Sequence, residues 1–174
     1  ATPVNITGTC EAFGENCSGI EIAIAPSDQS YVYALAYDAN GLMSGLYLTR
    51  DQNSWILLTS TTVTPFSSLA TGKNCGAMIV DPYNPAKIYV GGANLWIGQG
   101  YVENSPFQWT ATSSNESLNS GDYMASVFSN PSFVHSGINQ ITPVIIWDEE
   151  EHVNHYYRYL IATNGGVFYA TTDF

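Results

Sequence analysis

Residues 24–35, Ile-Ala-Pro-Ser-Asp-Gln-Ser-Tyr-Val-Tyr-Ala-Leu, return without a gap at 80–91 as Val-Asp-Pro-Tyr-Asn-Pro-Ala-Lys-Ile-Tyr-Val-Gly, 56 residues later. A period of this size means one supersecondary unit used several times, each copy needing its neighbours to bury its apolar faces. In both copies an apolar run ends at a proline, Pro26 or Pro82. Proline fixes its own φ and cannot donate to a sheet ladder, so it ends a strand. Ser27-Asp28-Gln29 and Tyr83-Asn84-Pro85 then turn the chain, and a second alternating run brings Tyr33 and Tyr89 to equivalent places.

The two copies continue alike beyond these tyrosines. After Tyr33 the chain passes Asn40-Gly41-Leu42-Met43-Ser44-Gly45 into Leu46-Tyr47-Leu48-Thr49, then a polar turn, then Trp55-Ile56-Leu57-Leu58. After Tyr89 it passes Gly91-Gly92-Ala93-Asn94 into Leu95-Trp96-Ile97, then a longer loop, then Phe107-Gln108-Trp109-Thr110. Four short strands rich in aromatic and β-branched residues, separated by turn residues, describe an antiparallel meander, the pattern of a propeller blade. A third unit reads from Pro143-Val144-Ile145-Ile146-Trp147 through residues 156–162 and Asn164-Gly165-Gly166 to Val167-Phe168-Tyr169-Ala170, with no fourth strand. One weak helical stretch falls near 123–128. The expected fold is therefore all-β: a propeller-like array of about three four-stranded antiparallel blades, the last incomplete. Residues 1–19 form an N-terminal strand and Cys loop, 20–60 blade 1, 76–113 blade 2 and 141–174 partial blade 3, a single structural unit belonging to a larger propeller or assembly.

Two stretches carry a resemblance. Asp81-Pro82-Tyr83-Asn84-Pro85, and Gly45-Leu46-Tyr47-Leu48-Thr49-Arg50-Asp51 closed by Trp55, resemble the blade motif of the Asp-box, or bacterial neuraminidase repeat, propeller superfamily. That superfamily includes sialidases, xyloglucanases and sortilin-like sorting receptors. The match has departures: Asn53 stands where the family has Gly, Trp55 comes one residue early, Gly98-Gln99-Gly100 lacks the Asp, and the third copy reaches only Asp173. The resemblance implies a structural Asp-box formed by Thr49, Asp51 and Trp55, with Asp173 in the third unit. A carboxylate heading a tight turn accepts backbone N–H groups, the hydroxyl two residues earlier reinforces it, and the Trp packs across the hairpin. Asp51 is read as this clip and not as a catalytic acid.

Three blades do not close a ring, since propellers use about four to eight. The chain is then a piece of a longer protein, an open stack, or a unit completed by a neighbour's strand. The β-prone residues 1–9 lie outside the first repeat and suit the last role: added to the third unit of the next molecule, they would build a head-to-tail polymer.

With 4 basic against 15 acidic residues and a formal charge of −11, the surface repels phosphate, so nucleic acid and anionic lipid are poor partners and no nucleic-acid binding is expected. No apolar run approaches the roughly 20 residues that span a bilayer as a helix, so membrane insertion is not expected. Cys10 and Cys17 sit close enough in a Gly-containing loop to form a disulfide, leaving Cys75 unpaired. Low Lys content and abundant Thr, Ser, Asn, Gly and Tyr point to secretion. Sequons at Asn5, Asn16 and Asn115 permit glycans, although three are close to chance in so Asn-rich a chain.

Candidate chemistry is sparse. Residues 148–155, Asp-Glu-Glu-Glu-His-Val-Asn-His, lack the spacing of a zinc helix motif, and in a strand His152 and His155 face opposite ways. They read as a solvated hairpin turn, and no metal or cofactor is expected. Asp38, Asp81, Glu103 and Asp122 offer carboxylates for glycoside hydrolysis, which requires two of them about 5–10 Å apart, but sequence cannot pair them. Only Arg50 and Arg158 are present, too few for the three-arginine clamp of a sialidase. Trp96, Tyr101 and Trp109 gather around the second unit's degenerate turn as candidate ligand platforms, although strand aromatics more often belong to a core. The resulting expectation is a non-catalytic extracellular β-propeller module that binds protein or glycan, or builds an assembly from copies of itself or further blades. The alternative is a fragment of an Asp-box glycoside hydrolase.

Overall fold

A computed structural model describes residues 17–59, 76–100, 107–113, 134, 137–148 and 153–171. Within these residues the chain is all β, with eleven strands in three antiparallel sheets and no helix. The first sheet is β1 (Cys17–Ile24), β2 (Val32–Asp38), β3 (Met43–Thr49) and β4 (Ile56–Thr59), each beside the next. The second repeats that order with β5 (Ala77–Val80), β6 (Lys87–Gly91), β7 (Leu95–Gln99) and β8 (Gln108–Ala111). The third has three strands, β9 (Ile138–Asp148), β10 (Val153–Thr163) and β11 (Gly166–Thr171), with β10 in the middle.

The sequence repeat is also a repeat of pairing register. Ile24 lies opposite Val32 and Ala23 opposite Tyr33; 56 residues on, Val80 lies opposite Ile88 and Ile79 opposite Tyr89. On the next ladder Tyr33 faces Leu48, Tyr89 faces Ile97 and, in the third sheet, Tyr159 faces Ala170. Leu48 and Ala170 each stand three residues before an aspartate, Asp51 and Asp173. Tyr159 is thus the third copy of the repeated tyrosine.

Alternation along the strands gives each sheet two faces, and the second sheet is covered on both. Its Met78, Val80, Ile88 and Val90 pack against Ala23, Tyr33, Leu35, Leu46 and Leu48 of the first sheet. Its Ala77, Tyr89, Leu95 and Ile97 pack against Ile138, Ile141, Tyr159 and Ile161 of the third. Each fully buried Leu or Ile contributes about 1.5–3 kcal/mol relative to exposure, and these two interfaces contain most of them. The stacking is not uniform. The first sheet lays its tyrosine face on the opposite face of the second, whereas the second and third sheets meet tyrosine face to tyrosine face, with the Tyr89 and Tyr159 rings 4.9 Å apart.

The first strands run side by side, β1 next to β5 and β5 next to β9. β9 begins at Ile138, earlier than the strand expected at 143, because it is docked there. Gly92 O accepts the amides of Gly137 (3.1 Å) and Ile138 (2.9 Å), and Ile138 packs directly on Gly91. A Cβ on residue 91 would collide with that side chain. The expected helical stretch near 123–128 lies outside the described residues.

Candidate functional site

The polar chemistry of the first two sheets is concentrated in their turns, where an aspartate carboxylate repeatedly receives backbone amides. Asp51 Oδ1 accepts from Asn53 N (2.9 Å), Ser54 N (2.8 Å) and Thr49 Oγ1 (3.1 Å), while Gln52 N donates to Thr49 Oγ1 (2.9 Å). Gln52 adopts φ 62°, the left-handed conformation that tightens the turn and that favours glycine. Backbone amides of Ser54 and Asn53 hold the Asp51 carboxyl down at about 2. A group so acidic carries no proton at neutral pH and cannot serve as a general acid there. Thr49 is buried, and Trp55 is half-buried and packs with Cys17 against Ala34, Ala36 and Tyr47.

Three further aspartates do similar work. Asp28 Oδ1 accepts from Ser30 N and Oγ (3.0 and 2.7 Å), and Asp38 Oδ1 accepts from Asn40 N and Leu42 N (2.8 and 2.9 Å). Asp81 Oδ1 accepts from Tyr83 N and Asn84 N (2.9 and 3.0 Å). Asp38 and Asp81 are readable from sequence as glycosidase carboxylates, but each has an oxygen committed to its own turn. The usable sequence signal is an Asx position followed by turn residues, Asp38-Ala39-Asn40-Gly41 and Asp81-Pro82-Tyr83-Asn84. Glu103 and Asp122 lie outside the described residues.

Asp81 does more than clip a turn. Its second oxygen accepts the Tyr89 hydroxyl at 2.8 Å, and Lys87 Nζ stands 3.8 Å from it and 5.1 Å from the Tyr89 ring centroid. Burial, with the hydroxyl of Tyr159 and the Asp81 carboxylate as further causes, raises the Tyr89 pKa far above its ordinary range. The first unit has Ala25 where the second has Asp81. Tyr33 accordingly finds a different acceptor, donating to Pro85 O of the next sheet's turn at 2.7 Å. Both repeated tyrosines therefore tie the proline turn of the second unit to a strand, one within a sheet and one between sheets.

Arg50 sits 3.9 Å from Asp28 Oδ2 and over the Tyr31 ring at 4.3 Å, an exposed pair of the kind that contributes little stability. Beside it, a groove of about 460 Å3 is lined by Ile24, Pro26, Gln29, Val32 and Gln52. Of the aromatic platform, Trp96 and Trp109 lie on one face of the second sheet, since Trp96 pairs with Ala111 and Gly98 with Trp109. Both are half-buried, and neither indole N–H has a partner among the described residues. Trp109 packs on the core between the first two sheets and stacks edge-on to Phe107 at 5.2 Å. Tyr101, the sequon residues Asn5, Asn16 and Asn115, and Asp173 lie outside the described residues. Cys17 carries a free thiol donating to Gly19 O at 3.5 Å, and its expected partner Cys10 also lies outside them. Among the described residues no group of three metal-ligating side chains is found, and no helix is long and apolar enough to cross a membrane.

Exposed apolar side chains occur at both end sheets, and also at Ile56 and at Tyr83 in the turn between β5 and β6. The first sheet's outer face shows Ile20, Ile22, Ile24 and Leu57, and the third shows Leu160, Val167 and Tyr169. Sequence comparison adds no relative: no protein-family model matches the chain, and no curated protein matches it.

Proposed function

We propose that this chain is a non-catalytic extracellular module of the propeller type, acting as a structural subunit that is completed by strand addition. The supporting observation is the edge of β11. Its counterparts β3 and β7 each pair with a fourth strand, β4 and β8, whereas β11 pairs on one side only among the described residues. An unpaired edge is a row of unmet donors and acceptors and a template for another strand. The proposal assigns that strand to residues 1–9, from the same molecule or the next. Adjacency of β1, β5 and β9 supports a propeller-type arrangement, in which first strands gather at the centre. The commitment of Asp28, Asp38, Asp51 and Asp81 to turns supports a scaffold over a hydrolase. Trp96 and Trp109, with indole N–H groups turned into the protein, favour contact with protein over stacking on sugars.

Size-exclusion chromatography with light scattering, on the full chain and on a chain lacking residues 1–9, tests the proposal. Loss of oligomers on deletion identifies exchange between molecules, and a monomer with a lowered unfolding midpoint identifies closure within one. Unchanged particle size together with unchanged stability would refute it.

A further inference from the structure

The second unit departs from the first in two ways, and both departures meet at one pair of side chains. Asp81 stands where the first unit has Ala25, and the second sheet sets its tyrosine face against the tyrosine face of the third. Tyr89 and Tyr159 are thereby brought into ring contact, with centroids 4.9 Å apart and planes inclined at 45°. Their hydroxyls are hydrogen-bond neighbours, and the Tyr89 hydrogen is given to Asp81 Oδ2 at 2.8 Å. Both rings are buried, at 1% and 2% exposed. Tyr33 has neither feature: its hydroxyl donates to the neutral Pro85 carbonyl, and its ring lies in a cluster with Met78 and Val80.

The chemistry that this arrangement suits is one-electron oxidation of a phenol. A phenol that loses an electron becomes strongly acidic, so oxidation is easiest where a base already accepts its hydrogen. Asp81 does so within the reach of about 2.6–3.2 Å that proton transfer needs. The ring carbons beside the phenol oxygen carry much of the radical's spin, and neighbouring hydroxyls bring those carbons of the two rings close. We propose that Tyr89 and Tyr159 are the site of an oxidative cross-link, a dityrosine bond joining the second sheet to the third. The oxidant is a one-electron acceptor of the peroxide-activated haem class. Each phenol gives up one electron and one proton, the Tyr89 proton passing to Asp81, and the two phenoxyl radicals form one carbon–carbon bond at positions ortho to oxygen. Each ring then shifts the hydrogen at its new bond to its oxygen, which restores two phenols. One hydrogen peroxide takes up the two electrons and two protons and leaves as two waters. Because the pair is buried, electrons leave through Tyr83, which is 57% exposed and close enough to Tyr159 to act on it electrostatically. The inference rests on the packing of the second and third sheets and not on strand addition at β11, so either can fail without the other.

The test exposes the 174-residue chain, dilute and folded, to a haem peroxidase with hydrogen peroxide and maps the products by digestion and mass spectrometry. The fragment carrying Tyr89 should be recovered joined to the fragment carrying Tyr159, two hydrogens lighter than the two together, from monomeric chains that show dityrosine fluorescence. Tyr159→Phe keeps the ring and should abolish the joined fragment, and so should unfolding in urea before oxidation. Asp81→Asn should lower its yield several-fold while leaving unchanged the cross-links between molecules that form through the exposed Tyr83 and Tyr169. Circular dichroism melts check that both variants are folded. Formation of bonds between molecules alone, or a joined fragment whose yield is the same in Asp81→Asn as in the wild type, would overturn the proposal. Monomer fluorescence that survives Tyr159→Phe would do the same.

Discussion

Replacing Tyr89 by Phe removes one oxygen atom from a buried cluster and isolates the bond that separates the two repeated tyrosines. The Tyr89 hydroxyl donates to a carboxylate oxygen of Asp81 at 2.8 Å, and Asp81 is only 9% exposed. A hydrogen bond to a charged group contributes about 1.5–3 kcal/mol, a neutral one about 0.5–1.5 kcal/mol. Among the described residues that oxygen then retains Lys87, at 3.8 Å, so the upper part of the charged range applies. Tyr33→Phe is the matched control. It removes an equally short bond of 2.7 Å, but to the neutral carbonyl of Pro85. In a domain of this size 1 kcal/mol moves the midpoint by about 2–4 °C, so Tyr89→Phe should cost roughly 4–10 °C and Tyr33→Phe roughly 1–5 °C. Urea unfolding should give the same ranking at unchanged m-value. In a cycle with Asp81→Asn, the Tyr89→Phe effect should shrink by about 1 kcal/mol. A Tyr89→Phe chain no less stable than Tyr33→Phe would refute the assignment of Asp81 as the partner that matters.

The Asp51 carboxyl lies below its unfolded value of 3.8, so its contribution is complete above that pH and is lost as pH falls toward 2. The wild-type midpoint should therefore drop more steeply than that of Asp51→Asn between pH 4 and pH 2, and parallel curves would contradict the clip. Glu21 has the opposite sign, because burial raises its pKa and penalises the ionised form. Glu21→Gln should raise the midpoint at pH 7 and leave it unchanged at pH 3, as circular dichroism melts would report. Gly91→Ala drives a methyl group into Ile138 and should cost about 1–3 kcal/mol in urea unfolding; a neutral effect would mean that the second and third sheets do not meet there.

Strands and turns are legible in the sequence because their signals are local. Pro26 and Pro82 end strands, Asn164-Gly165 closes a two-residue hairpin between Thr163 and Gly166, and the Tyr33 and Tyr89 copies fall in the same register. Thr49, Asp51 and Trp55 can be placed in one turn for the same reason. Which face of a sheet meets which neighbour cannot be read, since alternation marks both faces as apolar in Ile79-Val80 and Tyr89-Val90 and says nothing of order. The reversal between the second and third sheets depends on Tyr159 packing against Tyr89, a contact 70 residues apart in sequence. Asp38 and Asp81 are open to a catalytic reading because a carboxylate's type does not reveal its partner. Ile138 escapes notice as the start of β9 because its role is set by Gly91 and Gly92, on another sheet.

Nuclear Overhauser contacts from the three repeated tyrosine rings would probe the stack most directly. The stacked arrangement requires the Tyr33 ring to report the turn at Pro85 and the side chains of Met78 and Val80, and the Tyr89 ring to report Tyr159. If Tyr33 and Tyr89 instead share one set of neighbours, or Tyr159 is remote from Tyr89, the three sheets do not stack in this order.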